Sequence, residues 1–485
     1  MSNETTVDAS TLSPRRKVII LATCCLSLFI VSMDATIVNV AIPAIRSDLG
    51  ASVSGLQWVI DVYTLVLASL LLLSGAAADR LGRRRVFQVG LAAFAVGSLL
   101  CSLSDSVGML VAARFVQAIG GSMLNPVAMS IITQVFTERT ERARAVGVWG
   151  AVVGVSMAVG PMVGGVLIDS VSWQSVFWIN IPVCLAAIAL TARYVPESRG
   201  TARRFDPIGQ LLGVTFMASL VFGLIEGPSM GWTDPRTLGI FTITALALVA
   251  FVRFEGRHAS PFIDIRFFRS VPFSTATVIA VLAFAAYGAF LFLMSIYLQQ
   301  VRGYSALHTG VIYLPIAVAT LVFSPISGRL VARYGSRPSL VSSGVLLALA
   351  AGFMTTLGPR TPVWQLIVMF AIFGIGFALV NAPVTTSAVS GMPRDRAGAA
   401  SAVASTSRQL GISLGVAISG SVVGTTVAAG GSAFTDAMVP LWWVVVATSA
   451  LITVLGYLST SARARRTAQD TAALFTTTAV PAAQR

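Results

Sequence analysis

Charge is scarce in this chain. Of 485 residues only 11% are Asp, Glu, Lys or Arg, against about 25% in a soluble domain. Histidine occurs twice, at His258 and His308, so neither an HExxH motif nor a histidine metal cluster can be assembled. Lysine occurs once, as Lys17 in RRK (15–17), with no glycine loop before it. That removes the phosphate-binding loop of an ATP-driven machine. No metal, cofactor or enzymatic activity is therefore expected. The four cysteines, Cys24, Cys25, Cys101 and Cys184, fall inside apolar runs and form no CxxC. They read as small packing residues rather than a disulfide framework. Strict apolar–polar alternation is also missing, which leaves helices as the elements of the apolar runs.

Apolar side chains are abundant: 55% of residues are hydrophobic and the mean hydropathy is +0.83. So little polar surface cannot cover so large an apolar core, so the solvent for most of the chain must be lipid. Backbone in lipid must satisfy its own hydrogen bonds. The expected fold class is an all-α integral membrane protein with fourteen transmembrane helices. The first lies at 18–43, the fifth at 145–168, the thirteenth at 399–427 and the last at 440–459. The run after RRK is too long for the core of a signal peptide, so it reads as the first span. With the N-terminus inside, 27 basic residues fall on the cytoplasmic side and four (Arg46, Arg236, Arg302 and Arg360) on the other, with Arg114 and Arg408 within spans. This is the positive-inside bias. It places both termini in the cytoplasm and accounts for the net charge of +14 without nucleic acid.

The chain repeats itself. GAAADRLGRRR (75–85) returns as GRLVARYGSR (328–337), and IGGSMLNP (119–126) as IGFALVNAP (375–383). Gly75 and Gly328 are 253 residues apart; Asn125 and Asn381 are 256 apart. Two offsets that nearly agree imply homologous halves in the same orientation, related by an axis along the membrane normal. The expected organisation is a tail (1–17), a six-helix bundle (18–200), two extra helices with linkers (201–270), a second six-helix bundle (271–460) and a polar, disordered tail (461–485).

The loop at 75–85 resembles the signature loop of the major facilitator superfamily, carried here by Gly75, Asp79, Arg80, Gly82, Arg83 and Arg84. Gly75 lets helices approach closely, Gly82 permits the turn, and Asp79 can meet an arginine or a helix N-terminus. The second copy has Ala332 in place of Asp79, so the charge lock is expected to be stronger in the first half. The fifth span, with Gly147, Gly150, Gly154, Gly160, Pro161, Gly164 and Gly165, resembles the motif of drug:proton antiporters. That resemblance implies export. SMDATIVNVAIPAI (32–45), LQWVIDVYTL (56–65), SWQSVFWINIP (172–182) and RQLGISLGVA (408–417) resemble the fourteen-spanner drug:proton antiporters (EmrB/QacA type). The resemblance implies the major facilitator fold with two extra linker helices.

An ionisable residue inside a bilayer is a functional candidate by default. Asp34, Asp61 and Arg114 all lie about 9–14 Å below the outer helix ends at 1.5 Å per residue, so they form the expected proton-coupling site. Burial and a neighbouring guanidinium act in opposite senses on a carboxyl's proton affinity, and an ionised carboxylate would attract a cationic drug that protonation then releases. A structural ion pair between Asp34 and Arg114 is the plain alternative. Asp61 is equally compatible with a wetted outer mouth, and Glu226, beside Gly227 and Pro228, with an interfacial acid. Arg408, Asn39, Trp58, Tyr287, Met294, Asn381 and Gln409 are further candidates for substrate or coupling, against plain packing roles.

The leading expectation is proton-coupled efflux of lipophilic, cationic drugs or antibiotics by alternating access across the cell membrane, with the protein a monomer. The alternatives are a dedicated exporter of one endogenous compound (a self-made antibiotic, lipid or siderophore) and, ranked last of these, a nutrient:proton symporter. Near-exclusive use of arginine over lysine is a high-GC composition and points to an actinobacterial source.

Overall fold

The computed structural model describes residues 12–200, 206–258, 261, 263–390, 392, 397–424, 426–427 and 431–477. Among these residues there are helices and no strand. In chain order they are α1 (Pro14–Leu49), α2 (Val53–Leu81), α3 (Arg83–Ser102), α4 (Val107–Val135), α5 (Arg139–Ser170), α6 (Ser175–Trp178), α7 (Asn180–Tyr194), α8 (Pro207–Met230), α9 (Pro235–Glu255), α10 (Val271–Ile296), α11 (Ala306–Ile312), α12 (Leu314–Tyr334), α13 (Ser336–Met354), α14 (Val363–Val389), α15 (Ala397–Val423), α16 (Gly431–Leu458) and α17 (Ala462–Thr477). A 3-10 turn (Ile265–Arg269) precedes α10 and a π-helical turn (Tyr297–Val301) follows it.

The helix starts are written in the sequence. Ser52 accepts from Gly55 N at 3.1 Å, and Asp206 and Asp234 accept from Gly209 N and Arg236 N at 2.9 and 2.7 Å. Pro207 and Pro235 follow their caps at the first helical position, where a missing N–H costs nothing. Gly50 ends α1 in the left-handed region, φ 61°, as expected of a glycine C-cap.

Length and composition do not recover all fourteen expected spans among the described residues. Twelve helices among the described residues are long and apolar enough to cross a membrane. The two expected spans outside that set are 145–168, on α5, and 399–427, on α15. Several α5 side chains, Gly150 and Gly154 included, lie outside the described residues, and α15 is diluted by Ser, Gly and Arg408.

The C-terminal tail departs from expectation, because residues 462–477 form α17 rather than disordered chain. Ala464, Ala468 and Phe475 bury one stripe of it. The Phe475 ring lies 5.5 Å from that of Phe267, with the Arg266 guanidinium 4.7 Å above it, and Thr467 Oγ1 accepts from Val271 N at 3.0 Å. Its charged residues occupy the remaining faces, a pattern that a composition-based reading averages away.

Contacts divide the chain into two compact units, Met1–Phe205 with Met294–Ala317, and Asp206–Leu293 with Val318–Arg485. In the first, α3 packs on α4 and α1 on α5. In the second, α13 packs on α14 and α16, α8 on α9, and α8 also meets α15. The pair α8–α9 thus docks within the second unit through α15. The segment Met294–Ala317 joins the first unit because α11 packs on α5.

Candidate functional site

In the first unit a fully buried polar cluster forms around Asp34, at mid-length of α1. Its carboxylate is 0% exposed and the Arg114 guanidinium 1%. Arg114 Nη1 donates to Asp34 Oδ2 in a short ion pair and to Gln117 Oε1 at 2.6 Å. Its Nε donates to the Val59 carbonyl at 3.1 Å. Asp34 Oδ1 accepts from Gln117 Nε2 at 2.9 Å and from Asn180 Nδ2 at 3.1 Å. Ser98 Oγ accepts from the same two amides at 2.8 and 3.3 Å. The Arg114 Cζ sits 4.0 Å from the Tyr63 ring centroid and 5.8 Å from that of Phe177. Six elements, α1, α2, α3, α4, α6 and α7, therefore meet at one carboxylate. A carboxylate in such a place is compensated by one cation, three donated hydrogen bonds and an aromatic face under the cation.

Backbone proximity sets this geometry. A Cβ on Gly97 would fall 2.6 Å from Gln117 Cβ, and one on Gly120 would fall 2.6 Å from the Gly90 carbonyl oxygen. Only glycine at these positions lets α3 and α4 touch main chain to main chain, which brings Ser98 within reach of Gln117. Gln117, Asn180, Ser98 and Tyr63 were not among the sequence candidates. Gln117 could have been found, since it lies three residues after Arg114 on the same helix face. Asn180 is one of the polar residues in the tag SWQSVFWINIP, beside Ser172, Gln174 and Ser175. Ser98 and Tyr63 carried no signal beyond their apolar context.

Asp61 is also fully buried, on α2, but every hydrogen bond of Asp34 and Arg114 goes elsewhere. Of the three expected coupling residues, Asp34 and Arg114 are thus joined directly and share two amides, while Asp61 takes no part in those hydrogen bonds. Asn39 is buried on α1; its Nδ2 donates to the Ala35 carbonyl at 3.2 Å and its Oδ1 has no hydrogen-bond partner. Trp58 is half-buried on α2.

The second unit holds Glu226, Arg408, Tyr287, Asn381 and Gln409, while Met294, fully buried, falls in the first. Glu226 Oε2 accepts from Ser229 Oγ at 3.2 Å at the end of α8. Arg408 donates from Nη2 to Thr385 Oγ1 and lies 5.8 Å from the Phe284 ring, while its buried Nε has no hydrogen-bond partner. Tyr287 stacks on Phe377 at 4.2 Å and 8°. Asn381 and Gln409 are half-buried on α14 and α15.

The repeat offsets give a direct comparison between halves. Carried 253 residues on, Asp34 falls on Tyr287; carried 256, Arg114 falls on Phe370 and Gln117 on Phe373. Phe290 packs on both phenylalanines, at 4.8 and 4.4 Å. The positions that these offsets pair with Asp34, Arg114 and Gln117 are all aromatic.

The signature loop forms a second charged cluster. Asp79 Oδ1 accepts from Arg83 Nη2 at 2.9 Å, and Arg83 Nη1 donates to Gln134 Oε1 at 2.9 Å. Gly82 turns at φ 113°. Glu197 Oε1 accepts from Arg84 N at 3.1 Å, Arg84 Nη2 donates to the Ala192 carbonyl at 2.7 Å, and Arg80 is exposed. A Cβ on Gly75 would meet Pro126 at 3.9 Å. In the second copy Gly335, the counterpart of Gly82, also has positive φ, 77°. On α5, Gly164 faces Ile37 of α1, and a Cβ on Gly165 would fall 2.5 Å from the Ala306 carbonyl oxygen of α11. Gly160 lies against Met33 and Thr36, buried Pro161 faces Gly310, and Gly147 has open space. Asp169 accepts from Ala306 N and Leu307 N at 3.2 and 2.9 Å, capping α11.

Residues 24–416 match the family model described as Major Facilitator Superfamily. The chain is similar to the multidrug resistance protein Stp of Mycobacterium tuberculosis, with 36% identity over 82% of this chain and 74% of that one. It is 37% identical to the tetracenomycin C resistance and export protein of Streptomyces glaucescens, over 84% of this chain and 76% of that one. Among solved structures, a bacterial homologue of the human lysosomal transporter Spinster superposes with a TM-score of 0.67 at 18% identity, covering 95% of this chain and 99% of that one.

Proposed function

Because the chain belongs to the major facilitator superfamily, we propose that it exports lipophilic, cationic compounds across the cytoplasmic membrane in exchange for protons. The proposal places it among the fourteen-spanner drug:proton antiporters, as a monomer of six plus two plus six spans with both termini in the cytoplasm. Relatives named for multidrug resistance and for export of tetracenomycin C support the direction.

One observation carries the coupling: the first half buries Asp34 against Arg114, and the second half is aromatic at the corresponding positions. While Asp34 is ionised, Arg114, Gln117 and Asn180 all have an acceptor in it. Adding a proton to the carboxyl leaves the guanidinium without its counter-charge in apolar surroundings, a state costing several kcal/mol. The first half can relieve that cost only by rearranging around Arg114 or by admitting water. Proton occupancy and conformation are then linked, as antiport requires. Asp34 already receives three donors and is fully buried, so its role here is the coupling lever, not the dock for the drug's cation. Asp61 is the second acid of the coupling site in this reading. Glu226, Arg408, Asn39, Trp58, Tyr287, Met294, Asn381 and Gln409 remain its candidates for substrate contact.

The test is a susceptibility panel of chemically unrelated toxins in an efflux-deficient host, with drug-driven proton movement followed in vesicles. Wild type should protect against several scaffolds and move protons on drug addition; Asp34→Asn should do neither. Proton movement unchanged in Asp34→Asn removes that residue from the mechanism. A dedicated exporter of one self-made compound is the second reading, favoured by the relative named for a single antibiotic. Protection against one scaffold only would select it.

A further inference from the structure

Helix α9 leaves most of its surface uncovered: Leu238, Ile243, Leu246, Val249 and Val252 are all exposed. At its arginine-bearing end lies a shallow, open depression of ≈ 350 Å³ lined by Ala250, Arg253, Phe254, Arg257 and His258. That volume is at the small end of the range for ligand sites. Positions 250, 253, 254 and 257 follow the spacing of one helix face, with Leu246 and Val249 about one turn further along it. His258 stacks on Phe254, ring centroids 5.1 Å apart and 20° between planes.

The acids nearby are turned to other tasks. Asp206 caps α8 and is buried, its Oδ2 3.9 Å from His258 Nε2. Glu255 is buried beside Gly209 and accepts from Ile263 N at 3.1 Å. Among the described residues no ion pair engages Arg253 or Arg257, and both are exposed. The positive-inside bias accounts for the charges and a membrane span for the apolar face; the depression between the two arginines is the added feature. Two guanidinium forks suit the oxygens of a phosphodiester, and the exposed apolar face suits acyl chains beside it.

We propose that this depression binds the headgroup of an anionic phospholipid, with its chains lying along Leu246 and Val249 of α9. By the arginine bias this end of α9 faces the cytoplasm, so the lipid belongs to the inner leaflet. The site gives α9, which stands outside both repeated halves, a role of its own: it fastens the second unit to one lipid. Nothing in this requires that the protein pump protons.

The test uses the purified full-length protein in neutral detergent, titrated with phosphatidylglycerol and followed by native mass spectrometry. Phosphatidylcholine and inorganic phosphate are the comparison ligands. Phosphatidylglycerol should be retained in preference to phosphatidylcholine. A basic residue near a lipid surface is worth about fivefold in affinity. Arg253→Gln and Arg257→Gln should each weaken binding by about that factor, and together by about twenty-five-fold. Both side chains are exposed, so the variants should elute like wild type; the single variants suffice if the pair does not. Equal retention of phosphatidylglycerol by the double variant, or of both lipids by wild type, overturns the proposal. So does binding of inorganic phosphate as tight as that of the lipid, which would mark a site for soluble phosphate.

Discussion

Replacing Asp34 by Asn keeps the shape of the side chain and removes its charge. In the structure Oδ1 accepts from Gln117 and Asn180, and an amide oxygen can keep both bonds. The other position changes sign: an NH2 group would face Arg114 Nη1, donor against donor. The guanidinium retains the Val59 carbonyl, Gln117 and the Tyr63 face, but no counter-charge. Breaking a buried pair in this way costs about 3–5 kcal/mol. Arg114→Gln alone leaves the reverse problem, a buried carboxylate held by two amides, at a similar cost. In Asp34→Asn with Arg114→Gln both charges are gone, and the cluster becomes a set of neutral amides that can satisfy one another. The double variant should therefore lose less stability than the two single losses combined, with a coupling of about 2–3 kcal/mol. Thermal and denaturant unfolding in lipid nanodiscs reads the stability; drug-driven proton uptake in vesicles reads the function. The double variant should recover stability but not proton movement, which separates the structural role of the pair from its coupling role. Additive stability losses would refute the claim that the two charges compensate each other. A double variant that still moves protons would refute the coupling.

Other substitutions test the surrounding frame. Gly165→Ala puts a Cβ 2.5 Å from the Ala306 carbonyl oxygen; it should cost about 1–3 kcal/mol by overpacking and lower transport, measured by drug accumulation. Gly82→Ala meets both a positive φ and Glu197 at 2.6 Å, whereas Gly335→Ala meets only the φ. Gly82→Ala should therefore destabilise by about 1–3 kcal/mol and Gly335→Ala by less, as compared by melting temperature. Deleting residues 462–485 exposes Phe267 to the solvent that Phe475 now excludes and removes the acceptor of Val271 N. A loss of about 1.5–3 kcal/mol is expected from the ring alone, read as a lower melting temperature with drug transport retained.

The helices and their order were legible because the bilayer simplifies the code. A run long enough to cross lipid must be helical, and capping residues such as Asp206 and Asp234 mark where two of the runs begin. Arg114 and Asp34 were legible for the same reason, as charges where charge is expensive. Less readable were residues whose part depends on packing. Ser98 and Tyr63 join the cluster only because α2, α3 and α4 arrive at the same place, and nothing local to them says so. Asp61 shares the depth of Asp34 along its helix, but depth along a helix does not fix direction around it, and its side chain lies outside the cluster's hydrogen bonds. The segment 462–477 averages to polar in composition while one stripe of it, ending at Phe475, is apolar and buried.

The glycine contact between α3 and α4 bears on how this protein feels its membrane. Because two main chains touch there, the spacing between Ser98 and Gln117 is fixed by backbone rather than by side chains that can rotate. A bilayer that thickens, thins or changes tension tilts helices, and these two must tilt as one. The bonds that Gln117 donates to Asp34 and Ser98 are thereby set by main-chain packing as well as by side-chain rotamers.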